Sequence, residues 1–179
     1  MRFSGFGGQG IVLSGFIYGK AAAIFGGMEA TMTQNYGPEA RGGACTSDVV
    51  IEDAPVSFPE VTHPDVLVIM SRDAYNTHRK HVKRGVKLFY DQDLVQVDHV
   101  LGAELIPVPS MKIAEGLGRK IVANIVMLGA LAAGSDLVPK DAVRQAVLSS
   151  VPPHTKELNE KAFEAGYSHA KQVLEKSRG

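Results

Sequence analysis

Residues 2–25, RFSGFGGQGIVLSGFIYGKAAAIF, carry the strongest fold signal in the chain. A short, partly apolar run at Arg2–Phe6 meets glycines at once, which is typical of a buried strand that ends in a tight turn. From Gln9 to Phe25 apolar side chains surround most of the circumference of a predicted helix, so we expect burial on more than one side. A strand, a glycine turn and a buried helix in this order predict the opening unit of an α/β fold.

Strands and helices alternate through the rest of the sequence. The predicted strands are Glu29–Gln34, Cys45–Glu52, Asp65–Ser71, Val86–Tyr90 and Leu105–Pro107, and the predicted helices are Asp73–Arg84, Lys120–Ala133, Lys140–Ser149 and Thr155–Lys176. This pattern predicts a three-layer α/β/α fold, in which a mostly parallel, Rossmann-like sheet has helices on both faces. The sequence contains no repeat and no long linker, so we expect residues 1–179 to form a single domain.

The composition excludes several classes of protein. With 45% hydrophobic and 21% charged residues, the chain is an ordinary globular protein. Its single cysteine, Cys45, excludes an internal disulfide, a cysteine-based zinc site and an iron–sulfur cluster held by this chain alone. Because 19 Lys and Arg balance 19 Asp and Glu, we expect no nucleic-acid partner.

The sequence also lacks the signals of export or membrane insertion. Met1–Phe6 turns into glycines without the apolar stretch of a signal peptide. The most apolar segment, Ile121–Ala133, is shorter than the roughly 20 residues that cross a bilayer. We therefore expect no membrane partner and a cytoplasmic location, which a single free thiol fits.

The first candidate binding loop is GFGGQG at positions 5–10, which matches the G-x-G-x-x-G pattern between a strand and a helix. Its candidate cofactor-binding residues are Gly7, Gly8, Gln9 and Gly10. A dinucleotide site also requires an acid at the end of the second strand, but that strand ends in Thr33-Gln34. Dinucleotide binding, binding of another ligand or subunit, and a purely structural turn all stay open.

The second candidate loop is QNYGPEARGG at positions 34–43. Its candidate residues are Tyr36, Gly37, Glu39, Arg41 and Gly42, because a phenol, a carboxylate and a guanidinium beside glycines suit a ligand site. The guanidinium can hold a carboxylate or a phosphate in a fork. A local Glu39–Arg41 pair and a subunit interface are the alternatives. Both loops follow carboxyl ends of predicted strands, where open α/β sheets bind ligands.

Other reactive side chains carry weaker signals. His78 and His81 share one helix face, but a solvated basic helix end is the favoured interpretation over a metal pair. Asp91 and Asp93 follow a strand, where carboxylates usually serve as caps and turn-formers. Cys45 is expected to be a buried, inert thiol. We assign no catalytic and no metal-binding residue.

Two features between residues 111 and 124 indicate a structural role. Met111–Gly118 has a flexible composition and is a candidate mobile segment. Asn124 lies in an apolar helix, so we expect it to be buried and hydrogen-bonded.

Taken together, these segments resemble a known family. GFGGQG at 5–10, QNYGPEARGGACTSDVVI at 34–51, PDVLVIMS at 64–71 and KELNEKAFEAGY at 156–167, with a Lys120–Asn124–Gly129 helix, are similar to the gamma subunits of 2-oxoacid:ferredoxin oxidoreductases. Equivalent domains occur in single-chain pyruvate:ferredoxin oxidoreductases, within the pyruvate/ketoisovalerate oxidoreductase gamma family. The tyrosine-glycine-proline-glutamate form of the second loop resembles the 2-oxoglutarate enzyme most.

The resemblance implies an oxidative decarboxylation of 2-oxoglutarate or a related 2-oxoacid to an acyl-coenzyme A (CoA), with reduction of ferredoxin. It implies that thiamine diphosphate, magnesium and iron–sulfur clusters belong to partner alpha and beta subunits, with a delta subunit as a further candidate. CoA is then a co-substrate. This chain would support the assembly and share in the CoA path, and we expect it to be inactive alone.

Two alternatives from other classes are a freestanding dinucleotide-dependent oxidoreductase and a CoA- or nucleotide-binding module. The isolated chain is also expected to form a homodimer through apolar surface such as Ile121–Ala133.

Overall fold

The computed structural model describes residues 1–36, 44–98 and 102–178. The strands in these residues are β1 (Arg2–Phe6), β2 (Glu29–Tyr36), β3 (Ala44–Glu52), β4 (Val66–Ile69), β5 (Lys87–Asp91) and β6 (Glu104–Val108). The helices are α1 (Ile11–Lys20), α2 (Arg72–His78), α3 (Ser110–Gly116), α4 (Ala123–Gly134), α5 (Lys140–Leu148) and α6 (Lys156–Arg178). A π-helical turn, Ala21–Phe25, extends α1, and 3₁₀ turns follow α2 and precede α4 and α6. Nowhere in the described part is a helix long and apolar enough to span a membrane.

The described strands form one sheet in the order β2-β3-β1-β4-β5-β6. β1, β4, β5 and β6 are parallel neighbours, whereas β3 runs antiparallel to both β1 and β2. The predicted α/β class and mostly parallel sheet are therefore confirmed. The hairpin of β2 and β3 differs from the dinucleotide-binding arrangement, in which the second strand lies directly beside the first.

Alternating side chains of the central strands enter two different cores. Val66 and Val68 of β4 face the larger core, which is built with α1, α4, α5 and α6. Leu67 and Ile69 face a smaller core beneath α2. All four residues of β4 are buried, which explains why this strand is a continuous apolar run.

The apolar helix α4 lies at the centre of the larger core. Ten of its twelve residues are buried, because α5 and α6 of the same chain cover it. The expectation that segment 121–133 offers surface to another copy is therefore wrong for the helix itself. Only Ile121, which precedes the helix, is prominently exposed, at 76%.

Two glycines let α4 and α6 approach until their backbones touch. A Cβ atom at Gly129 would overlap the carbonyl group of Phe163, and one at Gly166 would overlap the carbonyl group of Val126. The contacts of Gly134 with Leu174 further along show that the two helices run in the same direction. Any side chain at these crossing points must push the backbones apart.

Asp91 at the carboxyl end of β5 is fully buried and ties two turns together. One carboxylate oxygen accepts hydrogen bonds from the backbone N–H groups of Asp93 (3.0 Å) and Leu94 (3.2 Å). The other accepts from the Ser110 hydroxyl and from the N–H group of Met111 at 2.9 Å. The carboxylate thus caps the first turn of α3, as the turn-forming interpretation predicts.

The segment that the sequence analysis treats as mobile, Met111–Gly118, is instead mostly helical. It lies largely within α3, whose Ala114 is fully buried. The two glycines of GLG weaken the helical signal in the sequence, whereas packing against α4 and the Asp91 cap supply the missing stability.

We predict that Gly129→Ala lowers the free energy of unfolding by about 1–3 kcal/mol, because the new methyl group has no space between the backbones. Denaturant unfolding of the purified chain measures the effect. Gly19→Ala in α1 is the matched control: its nearest neighbour, Val49 Cγ1, lies 3.6 Å from the position that the new Cβ atom would take. That variant should gain about 0.5–1 kcal/mol from the higher helix propensity of alanine. Equal denaturation midpoints for the two variants would contradict the close contact of the α4 and α6 backbones at Gly129.

Asp91→Asn should lower the free energy of unfolding by about 1–3 kcal/mol. Each carboxylate oxygen accepts from two donors, and an amide NH₂ group in place of one oxygen can accept from neither. Asp93→Asn, at an exposed position, is the control and should stay within about 0.5 kcal/mol of wild type. An Asp91→Asn protein as stable as the control would show that the carboxylate does not hold α3.

Candidate functional site

The two candidate loops follow strands whose carboxyl ends lie close together. Phe6, the last residue of β1, pairs with Ala44, and Tyr36, the last residue of β2, pairs with Cys45. Since β3 is the only strand between them, the ends of β1 and β2 are two strand spacings, or about 10 Å, apart. The topology thus brings the two loop attachment points to the same edge of the sheet.

The first loop holds its shape through Gln9. The side-chain oxygen of Gln9 accepts a hydrogen bond from the N–H group of Phe6 (2.7 Å), and its nitrogen donates to the carbonyl of Met70 (2.8 Å). Both ends of the amide therefore serve the turn and join it to the end of β4. Gln9 is better placed to shape the loop than to bind a ligand.

Glycine is required at different positions of this loop for different structural reasons. Gly8 and Gly10 adopt φ values of 98° and 72°, which residues with side chains rarely adopt. A Cβ atom at Gly10 would also collide with the side chain of Asn124. Gly7 and Gly8, in contrast, have open space on the side where a Cβ would stand, so their backbone faces a cavity.

A cavity of about 550 Å³ opens beside the first loop. It is bounded by the first loop, the start of α1, the ends of β2 and β3, and the segments that lead into α4 and α6. Most of its wall is apolar, and its polar lining groups are few: Tyr36, Arg119, Asn124, Thr155 and Asn159. Such a cavity, apolar with a few placed polar groups, is typical of a binding site for a small organic molecule.

Residues at the N-terminal ends of three helices line this cavity: Ile11 of α1, Ile121 and Val122 before α4, and Thr155 before α6. α1 begins at Ile11, the 3₁₀ turn that leads into α4 begins at Lys120, and the turn that leads into α6 ends at Thr155. The N-terminal end of a helix carries a partial positive charge and free N–H groups. With the Arg119 guanidinium, which is the only charged group among the described lining residues, they make the mouth of the cavity favourable for an anion.

Asn124 connects the first loop to the helical layer. Its side chain is 3% exposed, and its nitrogen lies 3.5 Å from the carbonyl oxygen of Gly10. The buried, hydrogen-bonded position expected from the sequence is therefore the one found, and its partner is the first loop. Asn159, which is also buried, donates to the carbonyl of Thr155 (2.8 Å) in the turn that precedes α6.

Cys45 and Tyr36 lie at the floor and rim of the cavity. Cys45 is 4% exposed, and burial raises the pKa of its thiol, which disfavours the reactive thiolate. Tyr36 is 62% exposed and presents its ring at the rim. The pair shapes the cavity without offering a nucleophile.

The remaining candidates are the other residues of the second loop and the histidine of α2. Gly37, Glu39, Arg41 and Gly42 of the second loop lie outside the described residues. His78 Nε2 is 3.1 Å from the hydroxyl of Ser4 on the opposite sheet face, away from the cavity. No cluster of three or more potential metal ligands among His, Cys, Asp and Glu occurs in residues 1–36, 44–98 and 102–178.

The sequence pattern did not predict the C-terminal contributions to the site. Arg119, Thr155 and Asn159 join the cavity only through the packing of α4 and α6, more than 100 residues after the first loop. Arg119 had one usable signal, a cation between a glycine-rich turn and an apolar helix. Thr155 and Asn159 had none, because each is an ordinary residue type for a helix start.

Comparison with known proteins gives a consistent result. The 2-oxoglutarate synthase subunit KorC of Methanocaldococcus jannaschii is 47% identical over 176 residues, which are 97% of this chain and 94% of KorC. The ketoisovalerate oxidoreductase subunit VorA of Methanothermobacter marburgensis is 32% identical over 178 residues, which are 98% of this chain but 37% of VorA.

A solved structure extends the likeness to three dimensions. The gamma subunit of a keto/oxoacid ferredoxin oxidoreductase from Geobacter sulfurreducens superposes with a TM-score of 0.84 at 40% identity, covering 94% of this chain and 96% of that subunit. The family model described as Pyruvate ferredoxin/flavodoxin oxidoreductase matches residues 1–169. The chain therefore belongs to the pyruvate ferredoxin/flavodoxin oxidoreductase family, as a gamma-type subunit of a multi-subunit oxidoreductase.

Proposed function

We propose that this chain is the gamma subunit of a 2-oxoglutarate:ferredoxin oxidoreductase, a complex that converts the 2-oxoacid and CoA to an acyl-CoA and reduces ferredoxin. The observation that carries the substrate choice is the 47% identity to a 2-oxoglutarate synthase subunit over nearly the full length of both chains. Identity to the ketoisovalerate and pyruvate relatives is lower, at 32% and 30%.

The redox cofactors of the complex belong to other chains in this proposal. A cluster needs several thiolates, and this sequence has one cysteine, which is buried. Alpha and beta subunits, with a delta subunit where present, would hold thiamine diphosphate, magnesium and the iron–sulfur clusters, and would pass electrons to ferredoxin.

The part of this chain in the reaction would be to support the assembly and to form a section of the CoA path. The cavity suits that co-substrate, because its apolar wall fits a pantetheine arm. Arg119 and the helix N-termini suit phosphate groups at the mouth. Gly7 and Gly8 would let that arm approach the backbone closely, and Tyr36 would cover it from the rim.

The domain organisation of the chain and the location of the complex are also part of what we propose. Residues 1–179 form one gamma-type domain, which the family match over residues 1–169 supports. The complex works in the cytoplasm, for which the single unpaired thiol argues.

A freestanding dinucleotide-dependent oxidoreductase is the weaker candidate. The GFGGQG loop favours it, but β2 is separated from β1 by β3 and ends in Asn35-Tyr36 without an acid for a ribose. A CoA- or nucleotide-binding module that works alone would share the cavity and lack the partner chains.

Purification of the tagged chain from its native cells under anaerobic conditions should recover larger chains that contain iron and thiamine. We expect the eluate to reduce a viologen dye in a CoA-dependent manner, fastest with 2-oxoglutarate among 2-oxoglutarate, pyruvate and 2-oxoisovalerate. Faster reduction with another 2-oxoacid would refute the substrate assignment. A chain that is recovered alone and binds a nicotinamide or flavin cofactor would instead support the freestanding enzyme.

In the purified complex, Arg119→Gln should raise the KM for CoA about fivefold, because an exposed ionic contact with a phosphate contributes roughly 1 kcal/mol. The kcat and the KM for the 2-oxoacid should stay unchanged. Lys112→Gln in α3, an exposed cation outside the cavity lining, is the matched control. Equal KM values for CoA in the two variants would remove Arg119, and with it the phosphate end of the path, from the proposal.

A further inference from the structure

β2 is an edge strand with an open side. Its eight residues pair with β3 on one side, and no strand pairs with the other side in the part of the chain that the structure describes. After Glu29 the strand contains no charged residue and no proline. Edge strands usually carry such residues because an open row of N–H and C=O groups pairs readily with another strand.

The helical layer above this strand is also exposed and apolar. α1 packs on β2 and β3, where Gly15 makes room for Met32 and Ser47. Of the eight large hydrophobic residues that are exposed in the described chain, four belong to α1, its π-helical extension and β2. They are Leu13, Phe16, Ile24 and Tyr36, at 40%, 52%, 69% and 62% exposure. The open strand and this apolar stripe together form one surface, which we call the β2 edge.

The opposite edge of the sheet is closed. β6 has only five residues and includes Pro107, which cannot donate a backbone hydrogen bond. α6 packs along β6, and His169 Nε2 lies 3.1 Å from the carbonyl oxygen of Pro107. Head-to-tail pairing of β2 with β6 of another copy is therefore unfavourable, and the strand of this chain that suits the β2 edge is another β2.

We propose that two copies of this chain associate through their β2 edges, in an antiparallel pair that continues the sheet across a two-fold axis. An axis perpendicular to the sheet places both α1 helices on the same side, so Phe16 and Ile24 of each copy approach those of the other. The only charged residue of the strand is Glu29, and the Glu29 residues of the two copies then lie at opposite ends of the paired segment, far from each other. Such an interface is self-complementary and closes at two subunits.

The size of the β2 edge sets the expected stability of the dimer. A strand of eight residues is about 26 Å long, and with one helix layer it gives a patch on the order of 400 Å² per copy. The two copies together would bury about 800 Å², which is less than the roughly 1,200 Å² of a stable specific interface and is typical of a weak, reversible one, so we expect the dimer to dissociate in the micromolar range. The inference does not depend on the substrate of the complex, because the isolated chain suffices to test it.

Sedimentation velocity of the full-length chain over a micromolar concentration series tests the proposal, and the wild type should convert from monomer to dimer. Thr33→Lys and Thr33→Glu should each stay monomeric. Residue 33 is near the middle of β2, so when the strands pair about residue 32, 33 or 34, its two copies are opposite or one diagonal apart. An equimolar mixture of the two variants should dimerise again, because opposite charges then meet. Gln172→Lys, on exposed α6, is the control and should behave as wild type.

Thermal unfolding followed by circular dichroism checks that each variant is folded, and Phe16→Asp, at the apolar stripe, provides a second way to break the interface. A wild type that stays monomeric throughout the series overturns the proposal. So does a Thr33→Lys protein that still dimerises, or a mixture that fails to restore the dimer. If β2 variants abolish recovery of the larger chains while the isolated wild type is monomeric, the edge belongs to a partner subunit instead.

Discussion

The close crossing of α4 and α6 at Gly129 and Gly166 is the constraint on which the candidate site depends. Because the backbones touch, the two helices are held in parallel, and their N-terminal segments end up side by side. Those segments carry Asn124 at the start of α4 and Asn159 at the start of α6. Both contribute to the cavity wall, so a packing detail in the core determines the shape of a site at the sheet edge.

The second constraint is the antiparallel placement of β3. By running between β1 and β2, it brings the carboxyl ends of both strands to one edge, although Phe6 and Tyr36 are thirty residues apart. A parallel second strand beside β1 would place its carboxyl end at that edge too, but nearer to the first loop. The hairpin leaves one extra strand width there, and the cavity lies at that edge.

Local features of this fold could be predicted from the sequence, whereas neighbours could not. The run DVLVIMS predicted a buried strand because β4 is covered on both faces, and GFGGQG predicted a turn because Gly8 and Gly10 need positive φ. An all-apolar helix such as α4 has the same sequence whether its own chain or another subunit covers it, and here its own chain does. Residues 37–43 of the second loop lie outside the described residues, so their candidate roles stay predictions.

The same limit explains which parts of the site were found. Gly7 and Gly8 follow β1 and Tyr36 ends β2, and parallel strands bring their carboxyl ends to one edge, so topology alone places these residues together. Arg119 and Asn159 come from helix starts whose position depends on tertiary packing, which no local pattern encodes. Periodicity also could not reveal that β2 is an edge strand, since an inner strand and an edge strand can share the pattern of residues 29–36.

The chemistry of the cavity is consistent with a subunit that binds rather than reacts. Among its described lining residues, the thiol is buried with a raised pKa, the two asparagines are in structural contacts, and the one charged group, Arg119, is at the mouth. Such a wall can orient a flexible anionic molecule and exclude water from its apolar arm, and the lining residues that the structure describes include no His, Asp or Glu. In the proposed function the reacting centre belongs to a second chain, which is the division of labour expected in a multi-subunit oxidoreductase.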